Sequence, residues 1–242
     1  MKVYLYYHLR KTLKKEINME DYPITVVYST RRIDPDYFEH VKTTCALPNM
    51  EILAYENNGD KSLTEIYNDA LSVAKHDIIV FCHDDLIFET KYWGKKLFKH
   101  FKRNPEYGII GLAGTNNLIS GQWWAIRESM HGIVNHSDGV KKWTSVFSKP
   151  QGNLIKEMVV LDGVFFAVDK TKIKHSFDED FKGFHFYDLS FCFPNHLDGV
   201  KVGVITDLLI THMSVGHTNQ YWEENKILFE DKYKINLPIK LK

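Results

Sequence analysis

Asp77-Ile78-Ile79-Val80-Phe81-Cys82-His83-Asp84-Asp85 is the stretch on which the reading of this chain turns. Ile78 to Cys82 are apolar without alternation, which suits a strand covered on both faces, and the run stops abruptly at three polar residues. Just upstream, Ser62-Leu63-Thr64-Glu65 has the form of a capping box, and Leu63, Ile66, Tyr67, Ala70, Leu71 and Ala74 then recur on one helical face. Before that helix, residues 50–56 (MEILAYE) read as a strand and residues 56–61 (ENNGDK) as a turn-rich loop. Residues 24–29 (ITVVYS) form another short β-branched run, and Asp34-Pro35 supplies an N-cap and a first-turn proline for a helix through about Thr44. Strand, helix, strand, helix, strand within ~60 residues predicts right-handed crossovers and an α/β fold with an open, mostly parallel sheet flanked by helices. Ligands of such sheets gather at the carboxyl ends of the strands, which is where His83, Asp84 and Asp85 fall.

Downstream, a helix over 91–103 is stopped by Pro105, and GIIGLAG (108–114) reads as one more buried strand. Residues 115–157 are rich in Gly, Asn, Ser, His and Trp with weak periodicity, so a functional insertion or a hairpin is expected there. Regular structure resumes with MVVLDGVFFAV (158–168), the aromatic FKGFHFYDLSFCF (181–193) and a strand in VGVITDLLITHMS (202–214); the last ~25 residues suit an outer helix. Residues 1–22 fit either an edge strand, through Val3, Leu5, Tyr7 and Leu9, or a helix.

The chain has 242 residues, 44% apolar and 26% charged, which suits one core and one domain rather than a disordered or fibrous chain. Its 31 basic and 31 acidic residues cancel, so no overall field gathers nucleic acid or an anionic membrane, and binding must come from a site. Cys45, Cys82 and Cys192 form no CxxC pair, which argues against a zinc knuckle or a disulfide framework and for a reducing compartment. No signal peptide and no apolar run near the ~18 residues of a membrane span is visible, so a cytoplasmic location is expected.

Asp84-Asp85 after a buried strand must be solvated, paired or metal-bound. Two readings fit: Asp85 holds Mn²⁺ or Mg²⁺, or the pair caps the next helix. Trp123, Trp124, His131, His136 and Trp143 offer flat rings on which sugar faces stack, or buried anchors for a long loop.

The ordered series of motifs carries more. Ser62 to Leu71 with Asn68, followed by Asp77 to Leu86, resembles the family 2 glycosyltransferases of GT-A type, in which a helix bearing an Asn precedes a strand ending in a DxD motif. Leu161-Asp162-Gly163 to Ala167 and Phe177 to Cys192 are similar to segments of the streptomycin-biosynthesis StrF-type branch, so that the resemblance covers roughly residues 24–215. It implies a GT-A-like fold and a metal-dependent, inverting transfer of a sugar from a nucleotide-diphosphate donor, a UDP-sugar, to a hydroxyl of a carbohydrate or glycoconjugate. It also implies one domain with a donor half over about 1–114 and an acceptor-side half over about 115–242.

Residue by residue, the resemblance matches Asp85 to the metal-binding position, while His83 departs from the first acid of DxD. His212 matches a late metal-ligating His, with His217 as its rival. Asp188 matches the general base, and His185 orients the acceptor or substitutes for that base. Ser29, Thr30 and Arg31 after the first strand and Glu56 and Asn57 after the second are expected on the nucleotide, together with Asn68, His83 and Asp84. Asp162 and Gly163 are expected near the donor sugar, with Trp123 and Trp124 toward the acceptor. From the residues alone, the ordinary reading of Asp188 is a helix cap and that of ENNGD a plain turn. The rivals are a nucleotidyltransferase, which lacks its Gly-rich phosphate loop here, and an inactive nucleotide-sugar-binding module.

Overall fold

A computed structural model describes residues 23–152, 154–216 and 218–241. The strand-or-helix reading of residues 1–22 and the rival ligand His217 lie outside the described residues.

The first half follows the local signals closely. Strand β1 (Ile24–Thr30) leads to helix α1 (Pro35–Cys45), where Asp34 caps the helix by accepting from Asp36 N–H at 2.9 Å and Pro35 fills the first turn. Strand β2 (Glu51–Glu56) leads to α2 (Leu63–Val73), whose capping box is formed: Glu65 accepts from Ser62 N–H at 2.9 Å and from the Ser62 hydroxyl at 2.6 Å. Strand β3 (Ile78–Cys82) is buried along its whole length, and Phe81 packs between Tyr67, Phe166 and Phe177.

Beyond β3 the chain divides between two sheets. The elements are β4 (Leu86–Phe88), α3 (Trp93–Arg103), β5 (Tyr107–Gly111), β6 (Ala113–Thr115), β7 (Asn117–Leu118), β8 (Met130–Ser137), β9 (Lys142–Val146), β10 (Lys156–Met158), β11 (Val160–Leu161) and β12 (Phe165–Asp169). They are followed by α4 (Tyr187–Leu197), β13 (Lys201–Val204), β14 (Ile210–His212), α5 (Gln220–Lys232) and β15 (Ile239–Lys240). The main sheet has the order β10-β13-β5-β12-β3-β1-β2. Pairs β1/β2, β1/β3 and β5/β13 are parallel, while β12 runs antiparallel between β3 and β5 and β10 antiparallel to β13. Five of the seven strands therefore run one way, the mostly parallel α/β sheet expected from the crossovers. The second sheet, β11-β6-β8-β14-β4 with β9 on β8, covers the carboxyl ends of the first, and β15 pairs β7.

Three apolar runs that read as single strands are each cut. GIIGLAG becomes β5 and β6, MVVLDGVFFAV becomes β10, β11 and β12, and VGVITDLLITHMS becomes β13 and β14. Every cut is a passage from one sheet to the other, and both sheets are covered, so burial continues while the strand does not. The break at Asp207 is fixed by side chains: its carboxylate meets His100 Nε2 at 2.8 Å and Lys96 Nζ at 3.5 Å, both from α3. The 115–157 stretch contains the β8–β9 hairpin that the loop composition allowed. The C-terminal helix is α5, seated through Trp222 and Phe229.

Candidate active site

Strands β1, β2 and β3 end on one side of the main sheet, and a cleft of ≈ 1160 Å³ opens there, roofed by the second sheet and by the segments around 121–124 and 184–189. Ser29, Thr30 and Arg31 line it from β1, His83 and Asp84 from β3, and Asp162 and Gly163 from the turn before β12. Asn57 also lines it, and its backbone N–H donates to Thr30 C=O at 2.8 Å, which ties the two donor-side loops together. The Asn57 side chain is occupied by the turn itself, accepting from Gly59 and Lys61 N–H at 3.3 and 3.2 Å and donating to Lys61 C=O at 2.9 Å.

The sequence separation between Asp85 and His212 is closed by strand pairing. Strand β14 lies antiparallel to β4, so that His212 sits opposite Leu86, and Met213 N–H donates to Asp85 C=O at 3.0 Å. His83 joins them: His83 Nδ1 is 3.1 Å from His212 Nε2, and Asp85 Oδ1 lies 3.4 Å from His212 Nε2 and 4.0 Å from His83 Nδ1. One ligand atom from each of the three falls within 4.8 Å of the others, a spacing that can hold a metal ion. Asp85 Oδ1 is buried without a hydrogen bond, the kind of atom a cation satisfies. Burial pushes the His83 pKa down to about 4, reinforced by His212, so its imidazole is neutral near pH 7 as a ligand must be. For Asp85, burial alone raises the pKa, but His212 outweighs it and brings it down to about 2. The same ion pair reverses the effect of burial on His212, whose pKa is raised.

Asp188 lies in the first turn of α4, not at its cap; the capping residue is Phe186, held at φ 64°. A bulky residue in the left-handed region is strained, and here the turn aims Tyr187 and Asp188 into the cleft. Asp188 Oδ2 accepts from Gly163 N–H at 2.8 Å. Burial, and next the nearby Asp162, raise the Asp188 pKa to about 7. Asp162 is itself raised by burial although its Oδ1 accepts from Val164 N–H at 2.8 Å. His185 lines the same wall, with its pKa lowered by burial.

Trp123, Trp124 and Trp143 line the far side, with Trp222 of α5 closing the wall: Trp124 packs on Trp222 at 5.7 Å between ring centres. Trp123 is buried and Trp124 is 37% exposed, so one is an anchor and the other presents a face. His136 stacks on Trp143 at 5.4 Å.

Two expected donor contacts are not on this cleft. Asn68 is engaged elsewhere: its amide donates to Phe177 C=O at 2.9 Å and to Glu179 Oε1 at 2.8 Å and accepts from Phe177 N–H at 2.9 Å, pinning 177–179 to α2. Glu56 is exposed at the end of β2 and is not among the lining residues. Sequence reading missed Tyr187, whose hydroxyl is 2.9 Å from His83 Nε2, Ser214, whose hydroxyl is 3.1 Å from His212 Nε2, and Trp222. Tyr187 stands between His185 and Asp188 in HFYDLSF, where the imidazole and the acid carry the chemical signal and a phenol does not stand out.

Among the described residues no helix is long and apolar enough to cross a membrane. No curated protein matches the chain. Solved structures similar to it include GalNAc-T7 with UDP, GalNAc and Mn²⁺, at TM-score 0.48 and 9% identity over 83% of this chain and 45% of that one. Others are A197 from STIV, at TM-score 0.45 and 12% identity over 82% and 97%, and the mannosyltransferase PcManGT from Pyrobaculum calidifontis in complex with GDP-Man and Mn²⁺, at 0.48 and 12% over 99% and 73%. The chain thus spans less than half the length of GalNAc-T7. The sequence model of a glycosyltransferase-like family matches residues 37–239, most of the chain, and the chain belongs to that family.

Proposed function

We propose that this enzyme transfers a sugar from a nucleoside-diphosphate donor, a UDP-sugar, to a hydroxyl of a carbohydrate or glycoconjugate, with inversion, in the cytoplasm. The observation that carries the reading is that a His-Asp-His cluster and a half-buried carboxyl with a raised pKa, Asp188, flank one cleft at the carboxyl ends of parallel strands. In this reading His83, Asp85 and His212 hold the divalent cation, and the two imidazoles favour Mn²⁺ over Mg²⁺. When bound, that ion supplies charge neutralisation for a diphosphate leaving group.

The chain's own residues do the rest. Ser29, Thr30, Arg31 and Asn57 hold the nucleotide end and Asp84 its ribose, while residues 1–114 serve mainly the donor and 115–242 mainly the acceptor. The Gly163 backbone and Asp162 face the donor sugar, and Trp124 and Trp143 offer ring faces to the acceptor. Asp188 takes the acceptor hydroxyl proton at a carboxyl oxygen as the acceptor oxygen attacks the anomeric carbon and the nucleoside diphosphate leaves; Gly163 N–H orients the other carboxyl oxygen. The segments 161–167 and 177–192 support a place in the StrF-type branch.

Calorimetry with UDP and Mn²⁺ tests the reading. UDP should bind at least 10-fold more tightly with Mn²⁺, and Asp85→Ala should abolish the difference. Equal affinity in the wild-type protein with and without metal would return the three residues to a structural role.

A further inference from the structure

The Tyr187 hydroxyl touches two groups at equal range: His83 Nε2 at 2.9 Å and Gly163 C=O at 2.9 Å. A carbonyl only accepts, so the single phenolic proton goes to Gly163, and the oxygen is left to accept from His83. That requires the proton of His83 on Nε2. Its Nδ1 then carries the lone pair, and Nδ1 is the nitrogen that faces His212 Nε2 at 3.1 Å and Asp85 Oδ1 at 4.0 Å. A methyl group on Gly163 would run into the Tyr187 ring and hydroxyl, so the glycine is what lets the phenol approach its carbonyl. Tyr187 is otherwise packed edge-on against Tyr67 at 5.5 Å, which leaves its hydroxyl little freedom.

We propose that Tyr187 is a positioning residue that fixes the tautomer of His83, so that His83 offers Nδ1 to a divalent cation shared with Asp85 and His212. The inference rests on the cation-site reading above for its purpose, but the tautomer itself is a property of the metal-free protein. It also gives Gly163 a double duty: its N–H holds Asp188, its C=O holds Tyr187, and one residue thereby sets the base and a cation ligand relative to each other.

Two measurements test this. Long-range ¹H–¹⁵N correlation on metal-free protein should show His83 Nε2 as the protonated and Nδ1 as the unprotonated nitrogen, and in Tyr187→Phe the two forms should mix. Mn²⁺ affinity, read by calorimetry without nucleotide or turnover, should fall ~10- to 100-fold in Tyr187→Phe, the usual cost of losing a group that orients a ligand. Gly163→Ala, which displaces the hydroxyl without removing it, should weaken Mn²⁺ in the same direction and serves if Tyr187→Phe folds poorly. A His83 protonated on Nδ1 in the wild type, or unchanged Mn²⁺ affinity in a folded Tyr187→Phe, overturns the proposal. Wild-type protein that shows the Nε2 tautomer yet takes up no Mn²⁺ overturns the cation reading alone, and the tautomer assignment stands.

Discussion

Asp188 carries two opposed demands. Its pKa of about 7 suits a proton acceptor at neutral pH, and the same burial makes its charge a liability to the fold. In its proposed role Asp188 acts as the carboxylate, so kcat/KM should rise with pH through about 7 and fall on the acid side. Asp188→Asn keeps the acceptor for Gly163 N–H but not the base, and kcat should drop ~10²-fold or more while donor binding persists. The stability sign is the reverse of an ordinary salt-bridged carboxylate. Between the unfolded value, 3.8, and about 7 the folded chain keeps a proton that the unfolded chain has released, so this group favours folding less and less as pH rises through that window. Asp188→Asn, which cannot ionise, should therefore raise Tm relative to wild type at pH 8 and do so much less at pH 5. Scanning calorimetry at the two values decides it, and an equal shift at both denies that Asp188 is raised.

Elements were legible where a local signal exists, as with the Asp34 cap, the Ser62–Glu65 box and the β3 run ending at His83. The cuts at Leu112 and at Thr206-Asp207 were not, because an apolar strand covered by either sheet looks the same in sequence and only partners such as His100 mark the crossing. The site divides in the same way. The order of motifs points to Asp85 and His212, which the fold sets 3.4 Å apart, and to Asp188 on the cleft wall, whereas the amide of Asn68, expected on the nucleotide, is engaged by partners 109 and 111 residues away. Asn68→Ala strips the partners of Phe177 N–H and C=O, so it should cost about 1–3 kcal/mol of stability. Donor affinity per folded molecule should stay unchanged. Urea unfolding together with UDP titration separates the two, and a lost donor affinity without lost stability would restore Asn68 to the nucleotide.

At the scale of the whole molecule, composition excluded more than it identified, and the cysteines are an example. Cys45, Cys82 and Cys192 are all free and buried, and burial pushes the Cys45 thiol up to about 12 and the other two higher still. Native protein should leave all three unreactive toward an aromatic disulfide reagent at pH 8, and 3 mol of thiol per mol of chain should appear only with unfolding. Rapid reaction of any one in the native state would mean that the core around it opens locally.

The pairing of β14 with β4 sets His212 opposite Leu86, one residue from Asp85. Side chains alternate along a strand, so a slip of a single residue turns His212 to the other face and takes its ring away from the carboxylate. The cluster is thus legible to a cation only in the native register. On the proposed cation reading, slipped forms of this short pairing gain nothing from the ion, and Mn²⁺ present during refolding should draw the population toward the correct alignment. In that capacity the ion would act as a proofreader of sheet assembly, before any sugar is moved.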